Sequence, residues 1–332
     1  MIASARAMGR RTPTRAFLYE LGFRLGELSL RGALRVLPHV PPRWLEAIWE
    51  PVWRLLYLLQ RRRVRRMEAN LALVMSDRFP TRRARRDVVR SACRHLYRSV
   101  LDATLAVTHG TERTGISAIP VEGLERLASA LGRGRGVVVV TAHFGGFTLV
   151  PIRLAIDHPV SLVANRPDDA RVADLLDRVR EIAGFATVPV RPAREAARAS
   201  LLALRAGRVL VVLADEFKSG GVEVEFLGHD ASAPRGPVTL ALRTGAALMS
   251  VFAIRGPDDR VTLQVGEEIE LARTGDPVEE VSINVGRVGA EIEGVIRRHP
   301  EQWNWANFRA RARRPARKFS QRPRAGDAAP PA

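Results

Sequence analysis

The sequence predicts an α/β fold: a largely parallel or mixed central sheet flanked by helices, preceded by a helical N-terminal region. Three observations predict it. From Gly136 onward, short apolar runs such as GVVVVTA and VLVVLA alternate with amphipathic stretches, the texture of a sheet covered on both faces. Before that point, residues 16–130 place their apolar positions at helical spacing. Polar groups then cluster where strands end, in AHFGG and in ADEFKSGG, and in open α/β sheets the chemistry sits beyond the carboxyl ends of strands.

In chain order, residues 1–15 read as a disordered basic tail, 16–130 as the helical region, 131–315 as the α/β domain, and 316–332 as a second polar tail. The helical region contains RWLEAIWEPVWRLLYLLQRRRVRR, in which Trp44, Trp49, Trp53 and Tyr57 interleave with Leu and Ile before a basic cluster. Aromatic residues beside arginines suit an interfacial amphipathic helix, and equally a helix whose tryptophans enter a core. A break falls near Phe79–Pro80. Strands are predicted near 136–142, 160–165, 186–190, 208–214, 222–227, 248–255 and 260–266, with helices over about 146–157, 169–183, 193–206, 235–246 and 277–298.

The 332 residues suffice for one large domain or two smaller ones, and the apolar fraction of 46% is ordinary. The single cysteine, Cys93, excludes a disulfide framework and a cysteine-rich metal site. A net charge of +18, nearly all of it arginine, suits nucleic acid, an anionic membrane surface or acidic substrates. The start of the chain lacks the apolar core of a signal peptide, and no apolar run approaches the roughly 20 residues of a spanning helix.

Several chemistries drop out. GRGRG at 132–136 precedes a strand, so it is no dinucleotide fingerprint, and a GxxxxGK[ST] phosphate loop is absent. His143, His158 and His229 lack metal-ligand spacing, and no GxSxG nucleophile elbow occurs. The arginine clusters carry no nucleic-acid-binding signature, so no specific nucleic acid is expected as a partner. What remains is an imidazole, His143, after one strand and a carboxylate pair, Asp215 and Glu216, after another: a general base and its orienting acid.

TAHFGGFTLVPIRLA resembles the first block of the lysophospholipid acyltransferase superfamily, in its lipid A biosynthesis acyltransferase branch, which carries an HX4(D/E) pattern after a strand. Further blocks agree in order: VRRMEANLALVMSDRFP, VANRPDDARVADLLDRVREIAG, LADEFKSGGVEVEFLGHDASAPRGPVTLALRTGAAL and HPEQWNWANFRAR, together covering about residues 64–311. The branch also includes phosphatidylinositol mannoside acyltransferases. The resemblance implies a glycerolipid acyltransferase-like fold whose N-terminal helices dock on a membrane. It implies transfer of an acyl chain from a thioester, of acyl-CoA or acyl-carrier protein, to a hydroxyl of a lipid A-type glycolipid. A phospholipid or mannosylated lipid is the alternative acceptor. No cofactor or metal is implied. The expected place is the cytoplasmic face of a bacterial inner membrane, peripheral or monotopic, with anionic lipid as partner.

In this pattern His143 is the general base, Gly145 and Gly146 allow close approach of backbone to substrate, and Arg166 and Arg180 hold phosphate. The acid of the motif is replaced by Thr148, which cannot stabilise an imidazolium. Either Asp215 or Glu216 then orients His143 while Thr148 binds substrate or the helix start, or the chain is an inert lipid-binding relative. A second departure is Asn307–Phe308, where the family often has His-Arg-Arg.

Overall fold

A computed structural model of the chain describes residues 13–308 apart from 168, 218 and 219. The tail at 316–332 lies outside the described residues, as does the first tail up to residue 12; Pro13, Thr14 and Arg15 already belong to the first helix.

The helical region supplies α1 (Pro13–Val36), α2 (Pro42–Leu59), α3 (Arg61–Met75), α4 (Arg82–His109) and α5 (Leu124–Gly132). The expected break is the turn between α3 and α4. Thr81 ends it by capping α4, its hydroxyl accepting from the Ala84 N–H at 3.1 Å. The α/β region then runs β2 (Val137–Thr141), α6 (Leu149–Asp157), β3 (Val160–Ala164), α7 (Ala170–Ile182), β4 (Phe185–Pro189), α8 (Ala193–Arg205) and β5 (Val209–Leu213). A hairpin follows, β6 (Val222–Phe226) and β7 (His229–Ala233), and then α9 (Gly236–Thr244), β8 (Ala247–Arg255), β9 (Val261–Glu268) and α10 (Pro277–Arg298). Two short strands escaped the sequence reading. β1 (Val121–Glu122) is only a parallel edge pairing on β9, and β7 follows a tight turn at Leu227 and Gly228.

Among the described residues the main sheet has seven strands in the order β1-β9-β8-β2-β5-β3-β4. Within this sheet only β8 and β9 pair antiparallel. Strand β2 is central and fully buried. Its alternate side chains serve two cores, as the period of two requires. Val138 and Val140 pack toward Met67, Leu71 and Cys93 of α3 and α4, whereas Val137 and Val139 pack toward Leu127, Ile152 and Leu154. The helical region therefore shares a core with the sheet. Each of these fully buried aliphatic side chains contributes about 1.5–3 kcal/mol of transfer free energy.

Helix α2 is apolar on two faces. Trp53 and Tyr57 enter the core, while Trp44, Ile48, Leu55 and Leu59 form a stripe of exposed apolar side chains on the opposite face. No helix among the described residues is long and apolar enough to cross a membrane.

Candidate functional site

Strand register builds the centre of the site. β2 and β5 are parallel neighbours with Thr141 opposite Leu213, so the residues two positions further on, His143 and Asp215, leave the sheet side by side. Glu216, one residue further, has the opposite parity and acts on His143 through its charge. The His143 Nδ1–H donates to Asp215 Oδ1 at 2.8 Å, and the His143 backbone N–H donates to Asp215 Oδ2 at 3.0 Å. With Nδ1 carrying the proton, Nε2 is free to accept one from a substrate.

Asp215 is fully buried, so its charge needs many donors. It finds two more in the segment after α10. That segment folds back antiparallel beside the histidine turn: the Gly145 N–H donates to Gln302 O at 2.9 Å, the Asn304 N–H to His143 O at 3.0 Å, and Phe144 bridges Trp303. Trp303 Nε1–H then reaches Asp215 Oδ2 at 2.9 Å, and the Asn307 amide reaches the same oxygen at 3.2 Å. Asn304 Nδ2 donates to Asn307 Oδ1 at 3.0 Å, and Arg63 of α3 donates to Asn304 Oδ1 at 3.2 Å. A chain of donors thus runs from a guanidinium to the buried carboxylate.

The charges follow this geometry. Burial opposes protonation of His143, but the Asp215 carboxylate and its hydrogen bond outweigh it and hold the imidazole above its ordinary value, with a further push from Glu216 and an opposing one from Arg63. Burial likewise opposes ionisation of Asp215, and the contacts with His143 and Trp303 overcome it, so the carboxyl lies below its ordinary value. Such a pair suits general-base work, with the acid stabilising the imidazolium that forms.

Thr148, at the position of the motif acid, turns away from this pair. Its hydroxyl donates to Ser99 O at 2.6 Å and lies 3.1 Å from the Ser99 hydroxyl, tying the start of α6 to α4. Gly145 and Gly146 serve packing. A Cβ at Gly146 would touch Leu149 at 3.2 Å, and one at Gly145, where φ is +53°, would collide with Ala253 O. Their N–H groups are also spent, Gly146 donating to Ala253 O at 2.9 Å. The nearby amides of His143, Phe144 and Thr148 are engaged within the protein as well. Arg63 is a cation close enough to the imidazole to oppose its protonation.

Arg166 and Arg180 meet at one acid on α7: Asp177 lies 2.7 Å from Arg166 and 3.1 Å from Arg180. Arg166 also reaches Asp174 at 2.9 Å, and Arg180 lies 3.4 Å from Thr187 Oγ1. Both are away from the His143–Asp215 contact, but Arg180 lines an apolar cavity that leads back to it. This cavity of about 340 Å³ is walled by Leu30, Leu34, Ala103, Val107, Ile152 and Phe185 among others. Phe147 and Thr148 close its near end, and the Phe147 ring lies 5.1 Å from the imidazole, centroid to centroid. Its size and lining are those of a site for a flexible apolar ligand.

Sequence reasoning missed Arg63, Trp303 and Asn304. Arg63 sits in the run RRRVRR, where nothing local marks which arginine turns inward; Asn304 and Trp303 gave only the family-like block at the C-terminal end.

Comparison with known proteins agrees with this arrangement. The family model for bacterial lipid A biosynthesis acyltransferases matches residues 28–311. A phosphatidylinositol mannoside acyltransferase of Mycolicibacterium smegmatis is 32% identical over 152 residues, 44% of this chain and 48% of the relative. Another of that name, from Mycobacterium tuberculosis, is 33% identical over 135 residues, 39% of this chain and 42% of the relative. The chain thus matches about half the length of these curated relatives.

Proposed function

The chain belongs to the bacterial lipid A biosynthesis acyltransferase family, and from that premise we propose that it transfers a fatty acyl group from a thioester to a hydroxyl of a glycolipid. His143 Nε2 takes the proton from the acceptor hydroxyl as its oxygen attacks the thioester carbonyl. Asp215 fixes the Nδ1–H tautomer and stabilises the imidazolium. The tetrahedral oxyanion forms beside Arg63, whose guanidinium offers donors and positive charge. Collapse of the intermediate expels the thiolate, which leaves with the proton from His143. The acyl chain occupies the apolar cavity, with its carbonyl end at Phe147 and Thr148. Arg180, on the cavity wall, meets a phosphate of the donor, acyl-CoA or acyl-carrier protein, with Arg166 steadying it through Asp177.

The observation that carries this reading is the 2.8 Å contact between His143 and a fully buried Asp215. It supplies from a neighbouring strand the charge that Thr148 cannot, and so favours an active enzyme over an inert lipid-binding relative. For the acceptor, the family points to a lipid A-type glycolipid and the curated relatives to a phosphatidylinositol mannoside; both present sugar hydroxyls. The exposed apolar stripe of α2, beside arginines, suits an anionic membrane surface, at the cytoplasmic face of the bacterial inner membrane.

The test is acyl transfer by the purified full chain, with labelled acyl-CoA and acyl-carrier protein as donors and both glycolipid classes as acceptors. Labelled glycolipid is expected from the wild type and none above background from His143→Ala. Equal turnover by the two proteins would overturn the assignment.

A further inference from the structure

Helix α3 presents its arginines in separate stripes. Arg63 turns toward Asn304 and the catalytic pair. Arg61 and Arg65 stand about 160° around the helix from it, at roughly 100° per residue, on a stripe that continues to Glu68. Across from that stripe stand Arg82 and Arg86, one turn apart in the first two turns of α4. Together with Tyr57 and Leu58 at the end of α2 and Val64, these residues enclose a cavity of about 250 Å³.

Two independent features of this cavity call for an anion. The first is charge. Among the described residues, none of Arg61, Arg65, Arg82 and Arg86 is ion-paired with a carboxylate within 4 Å, and Glu68 is the single acid in the lining. Both helices begin with arginines and carry no acidic residue in the first turn, an arrangement that sets cations against the positive end of each helix dipole. A bound anion would relieve both repulsions. The second feature is Tyr57. The side chain is 9% exposed, and its hydroxyl makes no hydrogen bond of ordinary length, although it lies close enough to the Arg86 guanidinium to hold that cation above its ordinary value. A buried hydroxyl short of a full hydrogen bond is costly, and Tyr57 is one of the residues that line this cavity.

We propose that the cage formed by Tyr57, Arg61, Arg65, Arg82 and Arg86 is a binding site for the phosphate of an anionic phospholipid headgroup, separate from the catalytic centre. The Tyr57 hydroxyl donates to one phosphate oxygen, and the guanidinium groups cover the others with bidentate contacts. The lipid, not free phosphate, is the occupant because of what surrounds the cage. Leu58 stands on its rim, 55% exposed, and the stripe of Trp44, Ile48, Leu55 and Leu59 runs along the same helix. Acyl chains can lie on that stripe while the headgroup enters the cage. The inference rests on the membrane-surface part of the proposed function and adds a discrete site to it: diffuse charge would attract a membrane, whereas this cage holds one lipid and sets the orientation of the protein on the surface.

The experiment measures binding of the full chain to phosphatidylcholine vesicles with and without phosphatidylglycerol, and to inorganic phosphate alone. Tyr57→Phe leaves the charge unchanged and is expected to weaken binding to phosphatidylglycerol vesicles by about tenfold, the loss of one hydrogen bond to a charged group. Arg61→Gln with Arg65→Gln, and Arg82→Gln with Arg86→Gln, are expected to weaken it by more than thirtyfold each, beyond the share of diffuse attraction. The control pair Arg83→Gln with Arg90→Gln removes equal charge from exposed positions of α4 outside the cavity. Equal weakening by the control, together with no effect of Tyr57→Phe, would show attraction by net charge alone and overturn the site. Tyr57-dependent binding of inorganic phosphate as tight as that of the vesicles would overturn the lipid assignment. A wild type indifferent to phosphatidylglycerol would sink the membrane reading and the site together. Loss of acyl transfer in His143→Ala with Tyr57-dependent vesicle binding intact separates the two readings.

Discussion

Replacing Asp215 by asparagine tests the relay most directly, because the two residues are nearly isosteric and every partner is known. The carboxylate accepts from His143 Nδ1 at 2.8 Å, His143 N at 3.0 Å, Trp303 Nε1 at 2.9 Å and Asn307 Nδ2 at 3.2 Å. An asparagine amide brings one oxygen and one NH₂ to a site built from donors. Three of the donors, His143 N, Trp303 and Asn307, converge on the position of Oδ2, so the amide oxygen settles there. The NH₂ then faces His143 Nδ1, which must give up its proton and become the acceptor. The proton moves to Nε2, and the imidazole can no longer take one from a hydroxyl. A wrong tautomer of this kind costs about 10⁴ in kcat in the serine-protease triad. Because the Arg63 side and the apolar cavity are untouched, a loss of about 10³–10⁴, or about 4–5.5 kcal/mol in activation free energy, is expected here. KM should change little. Folding should survive, with Tm lowered by a few degrees, since the three converging donors keep their acceptor. The assay is steady-state transfer to glycolipid across pH, with circular dichroism on the same preparations. A variant within tenfold of wild-type kcat, showing the same pH profile, would refute the relay.

Four further outcomes follow from the structure. The acidic limb of kcat/KM should lie above the ordinary histidine value of 6.5, because Asp215 outweighs burial; Arg63→Gln removes an opposing charge and should move that limb to still higher pH while lowering kcat. By the same signs, the His143–Asp215 pair stabilises the fold between the unfolded carboxyl and unfolded histidine values, and loses that contribution as pH rises through the raised histidine value or falls through the lowered carboxyl one, which thermal melts across pH would show. Thr148→Glu restores the family's acid but should abolish or lower activity, since position 148 faces Ser99 O and the apolar cavity rather than the imidazole, and the buried charge should cost about 1–3 kcal/mol in stability by denaturant unfolding; a gain in turnover would contradict it. Leu55→Glu with Leu59→Glu, at positions 56% and 70% exposed, should leave Tm unchanged and weaken vesicle binding by more than tenfold in a flotation assay.

The alternation of strands and helices was legible because it is a local pattern. VVVVT is buried on both faces and ends two residues before His143, and VLVVL ends two residues before Asp215, so apolar periodicity alone put both groups at carboxyl ends of strands. Helix limits came out close where caps are local too, as with Asp169 before α7 and Asp276 before α10. The aromatic run of α2 was legible only as an ambiguity, and rightly so: the helix is apolar on two sides, and one periodicity cannot say which side meets the core and which stays exposed.

The fold class, the two strand ends and the family blocks were legible in the sequence, since each depends on residues within a few positions of one another. The arrangement of the site came from long-range contacts. Tertiary structure made β2 and β5 neighbours in register, so that Asp215 and not Glu216 meets His143, because side chains alternate across a sheet and only the register says which parity is shared. It brought Trp303 and Asn307 to Asp215 from a segment 88 and 92 residues further along the chain, and Arg63 to Asn304 across 241. Contacts at such separations leave no periodicity to read: they exist because a buried carboxylate must be met by donors from whichever segments the fold brings within reach.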